Sequence, residues 1–284
     1  MMWLAIAISS AVLFGLAGWW MKVSQMRGGN ANVLLLGLYV SGTAGFGVHA
    51  AVEGTISLLA DYRIWIAGCI IGAGSAIGNA IFMKALEYGP ASLTSPLTNL
   101  NIVLVVALGT FVYGERIHWS EAIGIALLLL AVAMISYKKN NSSSTTLEKR
   151  WFILVGVAVI LFAFRNGGLK ITEELGLPSA PVLFIGYALS LLWFIRPLLQ
   201  ARADRQAAAT GLKLGLLAGV FSYGGLHLYT VALTTGPANL AAPIFATNSL
   251  VVALGAILVY KERLNAVQWA AFACMIAGLA IIRI

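Results

Sequence analysis

The residues Ala85–Arg116, ALEYGPASLTSPLTNLNIVLVVALGTFVYGER, recur 147 positions further on as Ala232–Arg263, ALTTGPANLAAPIFATNSLVVALGAILVYKER. The two stretches align without a gap. Gly89/Gly236, Pro90/Pro237, Pro96/Pro243, Asn101/Asn248, Tyr113/Tyr260, Glu115/Glu262 and Arg116/Arg263 coincide. A period this long implies a duplicated multi-helix unit rather than a short solenoid repeat. At an offset of 148 the duplication extends towards the start of each unit, through Trp3/Trp151, Phe14/Phe162, Lys22/Lys170 and Tyr39/Tyr187.

Around that duplication the chain is 60% hydrophobic and only 10% charged over 284 residues, with a mean hydropathy of +0.91. So few charges would not cover the surface of a water-soluble domain, so lipid is the expected solvent. Met1 leads directly into an apolar run without a basic segment or a clear cleavage site, and no cleaved signal peptide is expected. Cys69 and Cys274 fall inside apolar runs and are read as buried thiols rather than a disulfide. The net charge of +8 is concentrated in loops, which fits a membrane topology signal rather than nucleic-acid binding.

A span needs about 20 apolar residues to cross roughly 30 Å of hydrocarbon. Ten stretches qualify: Trp3–Met21, Val33–Val52, Ile64–Leu86, Ser92–Tyr113, Glu121–Tyr137, Trp151–Leu169, Pro181–Leu199, Leu212–Thr234, Asn239–Tyr260 and Ala266–Ile282. Between the fifth and sixth, KKNNSSSTTLEKR (Lys138–Arg150) reads as a flexible linker. The fold expected is an all-α integral membrane protein of two five-helix repeats, residues 1–137 and 151–284. Five crossings per copy put the second copy in from the opposite face, so the repeats are inverted about an axis in the membrane plane.

In each copy Gly-Pro joins the third and fourth spans. Gly89 and Gly236 suit a left-handed helix end, and Pro90 and Pro237 the first turn of the next helix. Gly68/Gly72 and Gly215/Gly219, in GxxxG spacing, suit close packing of neighbouring backbones. Thirteen Lys and Arg residues, including Lys22, Arg27, Lys138, Arg202 and Arg205, lie on the side holding the loops after odd-numbered spans, against Arg63, Arg116, Lys170 and Arg283 on the other. The richer side is expected to be cytoplasmic, with both termini outside.

Enzyme chemistry finds no motif here. His49, His118 and His227 form no HExxH or Cys/His pattern, and there is no Walker loop. Neither a metal, a cofactor nor catalysis is expected. The ten acidic residues map to loops or span ends, so no mid-membrane carboxylate offers itself as a proton carrier.

The repeat sorts the remaining polar residues. Asn101 and Asn248 occur in both copies, and two readings stand for them: interhelical hydrogen bonding that serves the scaffold, or a pair of amides facing a midplane cavity. Residues that break the symmetry have no such scaffold role. Asn79 matches Leu226, His227 matches Ala80, Arg165 matches Ala17, Asn166 matches Gly18, and Trp19 and Trp20 match Gly167 and Gly168. Tyr223, on the span of His227, joins the candidate substrate-binding set. Arg165 lies about 21 Å into its span at 1.5 Å per residue, within snorkelling reach of the far interface. Trp19 and Trp20 read either as interface anchors or as a cavity mouth, and His227 as a packing histidine or a ligand contact.

With its ALEYGPASLTSPLTNLN…YGER and ALTTGPANLAAPIFATN…YKER segments, the chain resembles the EamA-type members of the drug/metabolite transporter superfamily over nearly its whole length. The resemblance implies a central cavity lined by spans 1, 3, 4, 6, 8 and 9, and export or exchange of amino acids, nucleosides, sugars or drugs. It also implies cytoplasmic termini, opposite to the charge count. The proline familiar about six residues after Pro96 is replaced by Asn101-Ile102, and by Asn248-Ser249 in the second copy. The expected function is a secondary transporter of small polar metabolites in the cell membrane, for which a monomer would suffice. Multidrug efflux, a flippase accessory or scaffold, and a membrane-embedded transferase are the competing readings. The transferase would need clustered carboxylates or histidines at one face.

Overall fold

The computed structural model describes residues 2–114, 118–136, 149–200, 204–235, 241 and 244–281, apart from the side chains at 121, 128, 129, 132, 133, 135, 136, 196–200, 268, 275 and 279. Most of the linker, the second Gly-Pro joint (Gly236-Pro237), Pro243, Glu115, Arg116, Arg202 and Arg283 lie outside the described residues. In order, the helices are α1 (Met2–Met26), α2 (Ala31–Val52), α3 (Tyr62–Tyr88), α4 (Ala91–Thr98), α5 (Asn101–Tyr113), α6 (Trp119–Ser136), α7 (Lys149–Glu174), α8 (Ser179–Gln200), α9 (Arg205–Thr235), α10 (Asn248–Tyr260) and α11 (Ala266–Ile281). Among the described residues there is no strand. Among the described residues six segments are long and apolar enough to cross a membrane: α1, α2, α3, α4 with α5, α7 and α9. The α8 region, Ile244–Tyr260 and Trp269–Gly278 supply shorter apolar helices.

Local chemistry sets the ends. Asn30 Oδ1 accepts from the N–H of Asn32 (3.0 Å) and Val33 (3.1 Å) to start α2, and Asp61 Oδ1 accepts from Arg63 N–H (2.8 Å) to start α3. A 3₁₀ turn, Thr55–Ala60, connects them. Helix α9 begins seven residues before the expected apolar boundary, because Asp204 caps it at Gln206 N–H (3.1 Å) and the polar Arg205–Thr210 continues the helix beyond the apolar run. Lys149 and Arg150 belong to the first turn of α7 rather than to the linker.

The expected left-handed turn at Gly89 is not what the chain adopts. Gly89 is extended (φ −158°, ψ 168°), and Pro90 precedes α4 as its cap instead of entering the first turn. Glycine is needed there for space: a Cβ would collide with the Trp151 indole. Trp151 is fully buried and donates from Nε1 to Thr94 Oγ1 at 2.9 Å, tying α7 to α4.

The fourth span is broken at Asn99–Leu100, one turn after Pro96. The chain tightens to i→i−3 bonds, Asn99 N–H to Pro96 O (3.2 Å) and Leu100 N–H to Leu97 O (3.1 Å). A matching tight turn stands at Thr247, whose N–H bonds Ile244 O at 3.1 Å. Asn99 Nδ2 donates to Ala246 O, so the two breaks abut.

Packing pairs α1 with α9, α3 with α7, α2 with both α8 and α9, α3 with α8, and α6 with α11. The GxxxG glycines make the closest approaches: a Cβ at Gly72 would lie 2.6 Å from Gly186 O on α8, and Cβ atoms at Gly215 and Gly219 would strike the α2 backbone at Leu34 and Leu38. The cysteines correct the sequence reading. Both are free, but Cys69 is exposed and Cys274 half-buried, because in lipid an apolar run does not distinguish core from membrane flank.

Candidate functional site

Between α1, α3, α4, α7, α9 and α10 lies a cavity of about 40 Å³, lined among others by Phe14, Asn79, Ser95, Phe162, Arg165 and Asn248. It has room for a few waters.

Arg165 dominates it. The side chain is only 4% exposed, so it does not snorkel to the interface. Its guanidinium carbon sits 5.0 Å from the Phe14 ring centre and 4.6 Å from that of Phe162. These are the duplicated phenylalanines, one from each copy. Each ring over a desolvated cation contributes about 0.5–2 kcal/mol, comparable together with the roughly 2.5–3.5 kcal/mol cost of placing an arginine at a helix centre. Nε donates to Asn166 Oδ1 at 3.1 Å. Among the described residues, neither an acidic side chain nor an acceptor for the other four N–H groups is paired with it. A polar chain runs onward from Asn166 Nδ2 to Asn101 Oδ1 (2.7 Å) and from Asn101 Nδ2 to Thr98 O (2.7 Å).

Asn248 repeats the local role of Asn101: its Nδ2 donates to Phe245 O, again three residues back, at 2.7 Å. Both amides therefore bridge helix breaks, and Asn248 also lines the cavity. Asn79 lines it too, while donating from Nδ2 to Tyr39 Oη at 3.0 Å.

His227 and Tyr223 belong elsewhere. His227 lines a separate vestibule of about 380 Å³ at the ends of α7 and α9 and the start of α8, together with Glu53, Thr172, Leu177 and Thr230. Its ring centre is 4.1 Å from that of His49, which bonds Tyr223 Oη through Nδ1 (3.2 Å) and Glu53 Oε1 through Nε2 (3.0 Å). The vestibule and the Arg165 cavity share no lining residue. One turn of α7 separates Arg165 from Leu169 in the vestibule wall, and the ring of Phe245 meets that of Phe14 in a tilted contact at 5.0 Å and stacks on that of Tyr229 at 4.2 Å.

The two tryptophans are not in the cavity lining. Trp19 covers Gly255 and meets Tyr260 at 5.5 Å between ring centres, and Trp20 packs against the core with its Nε1 enclosed. The structure brings in residues that sequence does not mark. Phe14 and Phe162 are apolar and carry no site signal in a membrane sequence, Lys22 reads there as a topology charge, and Glu262 as one of the acidic residues at loops or span ends. On the face away from the vestibule Lys22 Nζ lies 3.3 Å from Glu262 Oε1, and the same carboxylate accepts from the N–H of Ala91 (3.1 Å) and Ser92 (2.9 Å), the start of α4. No group of three or more His, Cys, Asp or Glu suited to a metal occurs among the described residues.

A multi-pass helical membrane protein with a buried polar cavity at broken helices is the class defined by this fold and site. The chain belongs to the EamA-like transporter family, whose model matches residues 1–137 and again 149–284. It is 26% identical over 72 residues to the probable 4-amino-4-deoxy-L-arabinose-phosphoundecaprenol flippase subunit ArnE of Proteus mirabilis (strain HI4320), and 25% identical over 73 residues to that of Yersinia pestis. These matches take in 25–26% of this chain and span 62% of the length of those curated relatives. A crystal structure at 16% identity aligns with a TM-score of 0.64 over 98% of this chain and 95% of its own, a likeness of fold alone.

Proposed function

We propose that the chain is a secondary transporter of small metabolites that carry an anionic group, such as zwitterionic amino acids, working as an exporter in the cell membrane by alternating access. The observation that carries this reading is the Arg165 guanidinium, held between Phe14 and Phe162 in a buried cavity, with four N–H donors that have no acceptor among the described residues. A carboxylate or phosphate would accept from that fork in bidentate geometry.

The architecture proposed is ten spans in two inverted five-helix repeats, residues 1–137 and 151–284, joined by the 138–150 linker. Matched contacts support it: Tyr39 Oη to Ser75 Oγ (3.1 Å) pairs with Tyr187 Oη to Ser222 Oγ (2.7 Å), and Gly72 against Gly186 pairs with Gly219 against Leu38. The family model's two matched stretches agree. Breaks in the fourth and ninth spans beside the cavity are where inverted-repeat carriers place their substrates. On this reading the cavity is occluded, the Lys22–Glu262 contact closes one side, and the vestibule is the partly open other side.

A flippase of lipid-linked substrates is the second reading, favoured by the likeness to ArnE. Counterflow in proteoliposomes separates the two. Loaded amino acids or other small carboxylates should drive uptake of labelled counterparts, and organic cations should not. Exchange of none of these, together with translocation of a labelled prenyl-phosphate sugar, would put the flippase reading first.

A further inference from the structure

A second feature lies on the membrane flank, outside the cavity and the vestibule. Two adjoining hollows of about 300 and 200 Å³ share Ile70, Gly168 and Ile171 and form one groove between α3, α5 and α7. Its rim is apolar and exposed, with Leu104 at 45%, Phe164 at 55% and Leu175 at 64%, so in a bilayer it faces acyl chains. Along α7 the lining runs from Ile160 to Thr172, about 18 Å at 1.5 Å per residue. A leaflet is about 15 Å of hydrocarbon. The groove is therefore long enough for one whole tail.

Its depth comes from Gly167 and Gly168, which the repeat matches to Trp19 and Trp20. In the first copy the Trp19 indole covers Gly255, the counterpart of Leu108. In the second copy Gly167 faces Leu108, whose Cδ2 would lie 3.4 Å from an added Cβ. An isobutyl group replaces an indole there, and the groove remains open. At the end near the membrane surface the lining changes character: exposed Arg63 sits there at the start of α3, its backbone N–H bonded to Asp61.

We propose that this groove is a binding site for one resident anionic membrane lipid, its tail lying over Gly167–Gly168 and its phosphate at the Arg63 guanidinium. An apolar trough of one-leaflet length ending in a cation at the interface has the chemistry of such a lipid, and a zwitterionic headgroup would bring its own cation against Arg63. The site touches the vestibule, because Thr172 and Leu177 line both. The lipid headgroup thereby forms part of the vestibule's outer wall.

The test is native mass spectrometry of the full chain released from vesicles of equal phosphatidylglycerol and phosphatidylcholine. One lipid should stay bound, with phosphatidylglycerol preferred about fivefold, the contribution of one interfacial arginine. Arg63→Gln should keep the lipid and lose the preference. The double variant Gly167→Trp with Leu108→Gly installs the arrangement already folded at Trp19 and Gly255, and should lose the retained lipid, whereas Gly167→Ala, an ordinary van der Waals contact, should keep it. Absence of bound lipid in the parent protein, equal retention by the folded double variant, or a headgroup preference indifferent to Arg63→Gln would each overturn the assignment.

Discussion

Lys22 Nζ and Glu262 Oε1 meet at 3.3 Å with side chains 6% and 15% exposed, joining the end of α1 to the segment after α10. The carboxylate is also the N-terminal acceptor of α4, through Ala91 and Ser92. Three elements around the cavity are thus pinned at one point on the side away from the vestibule. Hydrogen bonds to a charged group contribute about 1.5–3 kcal/mol, so Glu262→Ala should raise the open fraction on that side by roughly 10–150-fold. The measurement is the rate at which a cysteine at cavity residue Ser95 reacts with a small impermeant thiol reagent applied from each side. The swap Lys22→Glu with Glu262→Lys should restore closure only in part, because a lysine cannot accept from Ala91 and Ser92. Unchanged labelling in a folded Glu262→Ala protein would remove this contact as a gate.

Tyr39 and Tyr187 occupy matched positions but carry different loads. Tyr39 Oη meets both Ser75 and the Asn79 amide, whereas Tyr187 Oη meets Ser222. Tyr39→Phe strands a buried amide donor and should cost about 1–3 kcal/mol. Tyr187→Phe should cost nearer the roughly 0.6 kcal/mol average for a hydrogen bond between membrane helices. Thermal unfolding in detergent ranks them, and equal losses would show that Asn79 finds another acceptor.

Much of the helical frame was legible because its signals are one-dimensional. Apolar length places the helices near the expected ranges, and the GxxxG pairs mark the close approaches of α3 with α8 and of α9 with α2. Arg165 was legible as a break in the repeat. Its sandwich between Phe14 and Phe162 was not, because both partners are apolar, and an apolar residue in a membrane sequence does not show whether it meets lipid, core or a buried cation. The break at Asn99 carried a signal in Asn101, whose amide returns to Thr98 O. Helix-end reasoning misplaced Gly89 since its glycine answers to Trp151, a contact 62 residues away in sequence. Trp19 and Gly167 show the same limit: sequence marks the difference, but only packing tells that one fills a groove and the other leaves it open.

Orientation is a separate prediction from charge. The sequence assigns residues 138–150 and the Arg202–Arg205 loop to the Lys/Arg-rich side, which the positive-inside rule predicts to be cytoplasmic. Cysteines at Ser143 and Ala208 should resist an impermeant thiol reagent on intact cells and react after permeabilisation. Labelling of both from outside would reverse the orientation, in line with the cytoplasmic termini that the family resemblance implies.

Arg165 gives the sharpest test of substrate class. Phe14 and Phe162 stabilise the positive charge but offer its N–H groups no acceptor, and among the described residues Asn166 Oδ1 alone accepts from the guanidinium. An anionic substrate would supply further acceptors, and a charge-assisted hydrogen bond contributes about 1.5–3 kcal/mol. Arg165→Gln should therefore weaken binding of carboxylate-bearing substrates by roughly 10–150-fold, while neutral analogues such as the corresponding amides lose little. Arg165→Lys keeps the charge but presents a point donor in place of the planar fork, so its loss should fall between the two. Asn166→Ala removes the acceptor that orients Nε and should lower affinity for the anionic substrate without altering the ratio to its amide as strongly as Arg165→Gln does. Counterflow inhibition constants for each pair of acid and amide provide the readout. Equal losses for acid and amide in folded Arg165→Gln protein would leave the arginine a structural partner of the two phenylalanines, and the search for the substrate contact would move to Asn79 and Asn248 across the same cavity.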